Sequence, residues 1–269
     1  MILVIDALNQ DRFSDVLDEM FQLRARVFGG RLGWEVQVNN GREYDQFDDL
    51  DPAYVIGLDQ GGQLVSCARF LQTTGPHMLS DVFHTILNGQ PPLRSATLWE
   101  STRFCVDTER LSAGVQVGGV ARATSEIMIG MLEYARNSGI LDIITVIDPI
   151  MNRVMKRSAN APYDYVGKVA DMGKVSAMAA LIDCTEERIA RLREFSGILD
   201  EVFISDNAAR ALLDARPKPA PAQPAMDVAQ ADIVSYCRAQ LDAAQTEQER
   251  RAAQRLVDHL VQQGLHPAH

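Results

Sequence analysis

Between positions 24 and 103, six charged residues (Arg24, Asp45, Asp48, Arg69, Glu100 and Arg103) stand inside apolar, aromatic-rich runs. Any fold of this chain has to pair them, because an isolated guanidinium or carboxylate taken out of water is costly. Residues 15–28 show the pattern. Read as a helix, Leu17, Phe21, Arg24 and Phe28 follow i, i+4, i+7, i+11 spacing and share one stripe, which puts Arg24 on the apolar face. Carboxylate partners follow in Glu43-Tyr44-Asp45-Gln46-Phe47-Asp48-Asp49, acids interleaved with aromatics. A single buried arginine is equally well explained by a structural ion-pair network. Six such charges beside aromatics point to a site for a small zwitterionic ligand.

The rest of the chain alternates strand and helix signals. Met1-Ile-Leu-Val-Ile-Asp-Ala lacks a basic start and meets an acid at once, so it reads as a strand and not a signal peptide. Residues 54–59 and 63–73 flank Gln60-Gly61-Gly62 as a β-hairpin, and residues 97–106 form another strand. Gly118-Gly119 opens a helix running to about Asn137 and stopped by Gly139. Residues 140–147 are an apolar, β-branched strand, and Pro149 starts a helix reaching about Ser158. Strands are expected near 163–167 and 175–183, then a helix over 186–195 with Thr185 as its N-cap. This order predicts a mixed α/β sheet with helices on both faces. It assigns residues 1–216 to one domain, the Pro-rich 217–225 to a stiff linker and the Ala/Gln-rich 226–269 to a helical C-terminal extension.

Composition narrows the function. A net charge of −10 argues against nucleic acid or anionic membrane as a partner. No apolar run reaches membrane-spanning length. Cys67, Cys105, Cys184 and Cys237 are widely spaced with no metal-ligand pattern, so they read as reduced core residues of a cytoplasmic protein without a metal.

One ordered set of residues is specific. It comprises Arg24-x-x-x-Phe28-x-x-Arg31-Leu32-Gly33-Trp34, Glu43-x-Asp45-x-Phe47-Asp48, Ala68-Arg69, Pro76-x-Met78-Leu79-x-x-x-Phe83 and Trp99-Glu100-x-x-Arg103-Phe104. Over roughly residues 1–200 the chain resembles the acyl-homoserine lactone synthases, the autoinducer synthases of bacterial quorum sensing. The resemblance implies an acetyltransferase-like (GNAT-type) fold. It also implies an acyltransferase that needs no prosthetic group. The amine of S-adenosylmethionine would attack an acyl thioester, and the methionine carboxylate would then displace methylthioadenosine to close a lactone.

The residues suit that chemistry. Asp45 and Asp48 can hold cationic groups, and Arg24, Arg69 or Arg103 can take the carboxylate in a bidentate fork. Phe28 and Trp34 can cover the adenine or the sulfonium. Glu100 is the candidate general base, directly or through one water, with Arg69 and Arg103 beside it in the catalytic set. Burial would raise its pKa and nearby arginines would lower it, so the sequence leaves the direction open. Glu100 and Arg103, three apart in a strand, point to opposite faces unless a bulge or splay intervenes between 100 and 105. A backbone N–H freed there, at Phe104 or Cys105, could stabilise the thioester oxyanion.

Gln116-Val-Gly-Gly119-Val-Ala121 fits a loose Gln/Arg-x-x-Gly-x-Gly/Ala pattern for the pantetheine or pyrophosphate of a thioester donor, though two glycines before a helix are more often a tight turn. Arg153, Lys156 and Arg157 form a basic cluster where an acidic acyl carrier protein could dock, or simply a solvated helix face. Many relatives carry Arg-x-Gly-Trp here, against Arg157-Ser-Ala-Asn-Ala in this chain. The resemblance implies a role for Thr145, since members that prefer 3-oxo chains often carry Thr there and its hydroxyl could hydrogen-bond a 3-oxo group; it is equally a common strand residue. Met128, Met131, Leu132 and Met155 are either tunnel lining or plain core. Two other readings compete. An acyl-CoA-dependent N-acyltransferase acting on another amine would need the Gln116 loop but not the Arg24/Asp45/Asp48 set. A non-enzymatic binding protein that senses S-adenosylmethionine, or an acyl carrier through the tail, would not need the Glu100/Arg103 pair.

Overall fold

The computed structural model describes residues 1–31, 36–107, 116–117, 120–172 and 175–216. Its strands are β1 (Ile2–Ile5), β2 (Val38–Asn39), β3 (Arg42–Glu43), β4 (Ala53–Leu58), β5 (Leu64–Gln72), β6 (Leu98–Val106), β7 (Gln116–Val117), β8 (Val120–Ala121), β9 (Asp142–Ile147), β10 (Asp164–Asp171) and β11 (Ser176–Asp183). The α-helices are α1 (Ser14–Arg24), α2 (Met78–Asp81), α3 (Arg122–Asn137), α4 (Pro149–Arg157), α5 (Glu186–Ser196) and α6 (Asp206–Asp214). Seven strands form one sheet in the order β1-β4-β5-β6-β9-β11-β10. Every pairing in it is antiparallel except β6 with β9. This is the mixed, acetyltransferase-like sheet expected from the sequence.

Each face of the sheet buries its own core. On one, Ile143, Ile147, Phe70 and Ala180 pack with Ile127, Leu132 and Ala135 of α3 and with Ile189 and Leu192 of α5. On the other, Leu3, Ile5, Ile56, Leu58 and Cys67 pack with Val16, Met20 and Leu23 of α1. β4 is buried along its whole length, the mark of a strand covered on both faces. Gly130 lets α3 approach β1, since a Cβ there would lie 2.8 Å from Ile2 Cγ1.

The parallel β6–β9 ladder has only four rungs, from Leu98↔Asp142 to Ser101↔Thr145. Beyond them β6 stays with β5 and β9 stays with β11, so the two central strands part. The expected bulge lies just past the last rung. Cys67↔Cys105 and Arg69↔Thr102 are register partners, so β6 runs three residues against two of β5. Arg103 absorbs the extra step at φ +53°.

Caps follow the sequence closely. Asp148 accepts from the Met151 N–H to start α4 ahead of Pro149, and Thr185 accepts from the Arg188 N–H to start α5. One expectation needs correction. The helix does not open at Gly118-Gly119 but at Arg122, because Val120-Ala121 pair with Gln116-Val117 as a small hairpin first. Helix α6 carries no sequence expectation; Ser205 caps it and Leu213 anchors it in the α1-side core. Cys67, Cys105 and Cys184 are buried thiols. Among the described residues no helix is long and apolar enough to cross a membrane. The expected linker and C-terminal extension, with Cys237, lie outside the described residues.

Candidate active site

Arg24 ends α1, and the chain then widens into a π-helical segment, Ala25–Arg31. Such segments are frequent at functional sites. The guanidinium of Arg24 is fully buried over the Phe21 ring, 5.1 Å from its centroid. It donates from Nε to Glu43 Oε2 at 2.6 Å and forks onto both oxygens of Asp48 at 2.8 Å.

The acidic stretch is a turn that aims its own carboxylates. Phe47 N–H donates to Asp45 Oδ1, Asp45 N–H donates to Asp48 Oδ2, and Asp48 N–H donates to the Asp45 carbonyl. Three-residue spacing therefore sets Asp45 and Asp48 side by side. Tyr54 on β4 donates its hydroxyl to Asp48 Oδ1 at 2.8 Å. Arg69 on β5, fully buried, reaches Asp45 Oδ1 at 2.6 Å and Asp48 Oδ1 at 2.7 Å, and its Nε donates to Thr102 Oγ1 at 3.0 Å. The bulge turns Arg103 to the same side, where it donates to Glu43 Oε1 at 2.8 Å and Asp45 Oδ2 at 2.6 Å.

These contacts close a ring of alternating sign: Arg24, Glu43, Arg103, Asp45, Arg69, Asp48 and back to Arg24. Each acid bridges two arginines, and three positive charges balance three negative ones. Each arginine also lies against an aromatic ring, Arg24 on Phe21, Arg69 on Phe47 and Arg103 on Phe28. Burial opposes ionisation of Asp48, but its bonds to Arg24 and the nearby charge of Arg69 outweigh it and hold the carboxyl well below the usual range. Burial, reinforced by Asp48, pushes the Tyr54 hydroxyl far up, so it stays a donor. Among the described residues the ring is exposed at one link. Glu43, Asp48, Arg24 and Arg69 have fully buried side chains, whereas Arg103 is 11% and Asp45 18% exposed.

Glu100 lies on the same face, two rungs from Arg69. It is fully buried, and its oxygens accept the N–H groups of Met78 at 2.6 Å and Leu79 at 2.7 Å. Burial lifts its pKa to about 7 against the lowering effect of those two bonds and of Arg69. The direction left open by the sequence is thus upward. The carboxylate anchors the turn that starts α2, a task that the sequence did not show.

The other expected positions fall as follows. Phe28 is buried with its ring face against Arg103, and Trp34 lies outside the described residues. Cys105 pairs in register with Cys67, their sulfurs 3.3 Å apart. Phe104 has no register partner in β5 and packs on the α3-side core. Thr145 is buried on the rung with Ser101, where β6 and β9 part. Gln116 is exposed on β7, and Gly119 lies outside the described residues. Arg153, Lys156 and Arg157 are all exposed on α4. Met128, Met131, Leu132 and Met155 belong to the core under α3. Sequence reasoning missed Tyr54, Thr102 and Met78 as members of the site. Tyr54 left a signal as a hydroxyl in an otherwise aliphatic strand, and Met78 as part of the Pro76-x-Met78-Leu79 motif.

The mixed sheet that opens beside a bulge carries on one face a ring of arginines and acids, and the protein built on it is an acyltransferase. Comparison with known proteins narrows this. The family model described as autoinducer synthase matches residues 9–192. A probable acyl-homoserine-lactone synthase of Sinorhizobium fredii is 34% identical over 192 residues, covering 71% of this chain and 91% of the relative. An acyl-homoserine-lactone synthase of Agrobacterium fabrum is 34% identical over 178 residues, covering 66% of this chain and 83% of the relative. Among solved structures, BjaI, a CoA-dependent acyl-homoserine lactone synthase with SAM and isopentyl-CoA, matches with a TM-score of 0.66 and 25% identity, covering 79% of this chain and 99% of that one. The acyl-homoserine lactone synthase LasI matches with a TM-score of 0.61 and 28% identity, covering 75% and 97%. The chain belongs to the autoinducer synthase family; it is an acyltransferase, an acyl-homoserine-lactone synthase.

Proposed function

We propose that the domain of residues 1–216 transfers an acyl group from an acyl thioester to the amine of S-adenosylmethionine and then closes the homoserine lactone, releasing methylthioadenosine. The observation that carries this is the alternating ring. A free amino acid offers a carboxylate and an ammonium a few ångströms apart, and a ring of alternating sign takes both by exchanging one internal pair for two ligand contacts. The substrate carboxylate forks onto Arg103 or Arg69, and its ammonium goes to Asp45, with Arg24 and Asp48 holding the frame behind them. Phe28 and Trp34 supply aromatic faces for the adenine and sulfonium end.

In the first step the deprotonated amine attacks the thioester carbonyl; a C–N bond forms, the C–S bond breaks, and the thiolate leaves and takes a proton. Glu100, with its pKa near neutrality, is suited to accept the ammonium proton through one water. A backbone N–H beside the bulge, at Phe104 or Cys105, would stabilise the developing oxyanion. In the second step the carboxylate attacks the carbon bearing the sulfonium, and methylthioadenosine leaves as a neutral thioether. Thr145 and Gln116 with Gly119 serve the acyl chain and the pantetheine arm. The exposed basic face of α4, Arg153, Lys156 and Arg157, receives an acidic acyl carrier protein where that is the donor, and acyl-CoA is the alternative donor. The full chain, incubated with S-adenosylmethionine and a panel of carrier-protein and CoA thioesters, should yield methylthioadenosine and acyl-homoserine lactone in equal amounts. No methylthioadenosine with any donor would overturn this reading.

A further inference from the structure

Met78 is buried at the start of α2, at the edge of the ring. Its sulfur lies 3.3 Å from Arg69 Nη2 and 3.3 Å from Arg103 Nη1. These are the two arginines that Asp45 bridges, and Arg103 and Asp45 are the ring members exposed to solvent among the described residues. The backbone beneath the side chain is fixed as well. Glu100 grips the N–H of Met78 and of Leu79, while Phe47 and Leu71 pack around the side chain.

A thioether is a weak, polarisable and uncharged acceptor. It can orient two guanidinium groups without neutralising either. A carboxylate in its place would compete with the substrate for the same positive charge. When the substrate ammonium draws on Asp45, the two arginines lose part of their shared anion and would repel each other apart. We infer that Met78 is a positioning residue, a neutral bridge that keeps Arg69 and Arg103 aimed at one point while the amino-acid carboxylate of the substrate binds between them. Glu100 acts through it by holding its backbone in place. This inference rests on the lactone-synthase reading for its substrate, and it adds a device that the reading does not require.

The test compares M78L, close in volume but without an acceptor, and M78Q, which restores an uncharged acceptor oxygen. Calorimetric binding of S-adenosylmethionine is measured on the full chain, alongside KM for S-adenosylmethionine and for the acyl thioester. M78L should weaken S-adenosylmethionine binding about tenfold, the loss of one modest charge-assisted contact. KM for the thioester should stay within twofold and the melting temperature unchanged, and M78Q should recover most of the binding. Binding by M78L within twofold of wild type would overturn the inference. So would a parallel rise of both KM values with early melting, which marks packing alone. If M78L does not fold, M78Q decides: binding tenfold weaker than wild type in a folded M78Q removes the bridge. A wild-type protein that binds S-adenosylmethionine but forms no methylthioadenosine refutes the proposed reaction and leaves the bridge to be judged on binding. A wild-type protein that does not bind it refutes both.

Discussion

Among the described residues arginine is buried in two places, and the two are built differently. Arg188, on α5, is satisfied by one carboxylate, one amide and one carbonyl. Its Nε and Nη2 donate to Asp183 Oδ2 and its Nη1 to Asn160 Oδ1 and the Ala161 carbonyl, partners 5, 28 and 27 residues away. None of these partners has a second guanidinium, so the cluster is a clasp that fastens α5 to β11 and to the loop after α4. In the ring, partners lie 19 to 60 residues apart, and every acid is shared by two arginines. A clasp has nothing to give a ligand, because each bond it breaks leaves a buried group unpaired. A ring can open at one link and still leave every member with a partner. Shared partners, rather than burial or charge number, separate a site from a fastening.

That contrast can be broken by experiment. The largest effect is expected for R24M, which leaves Glu43 and Asp48 in surplus inside the protein. Stability should fall by about 3–5 kcal/mol, with S-adenosylmethionine binding lost, measured by denaturant unfolding and calorimetry. A loss below about 1 kcal/mol would mean that the ring is looser than drawn.

Glu100 should sharpen the contrast through pH. Its carboxyl is lifted from 4.5 to about 7, so the folded protein holds that proton more firmly than the unfolded chain does. Its stabilising contribution is complete below pH 4.5 and is lost as pH rises through about 7. Over that window unfolding stability should drop by about 3 kcal/mol, and the slope should flatten in E100Q. Asp48 has the opposite sign: its carboxyl is held low, so its contribution disappears as pH falls below the ordinary carboxylate value. An unchanged neutral-pH slope in E100Q would remove Glu100 as its source.

D183N tests the clasp. The Asp183 carboxyl is held down at about 2; burial works against this but is outweighed by its bonds to Arg188 and Thr185. The substitution should cost about 1–3 kcal/mol, with both KM values unchanged. A change in either KM would tie the clasp to the site. The smallest effect belongs to the exposed helical pair of Arg191 and Glu187, where E187A should leave the melting temperature where it was.

Much of the fold could be read along the chain. The hairpin around Gln60-Gly61-Gly62, the strand at 97–106, the helix start at Pro149 and the cap at Thr185 follow from turn chemistry and local hydrogen bonding. These act over a few residues and so leave their mark in the sequence. The start of α3 did not. Whether Val120-Ala121 continue a strand or begin a helix depends on Gln116-Val117 lying opposite, and glycines alone do not say so.

For the site, the sequence determined membership: which arginines and acids are too buried to stand alone, and that Glu100 and Arg103 could share a face only across a bulge. Their order around the ring, the opening at Arg103 and Asp45, and Met78 between two arginines were decided by the sheet. Strand spacing and register bring together residues up to 60 positions apart, and no local pattern encodes which carboxylate two guanidinium groups will share.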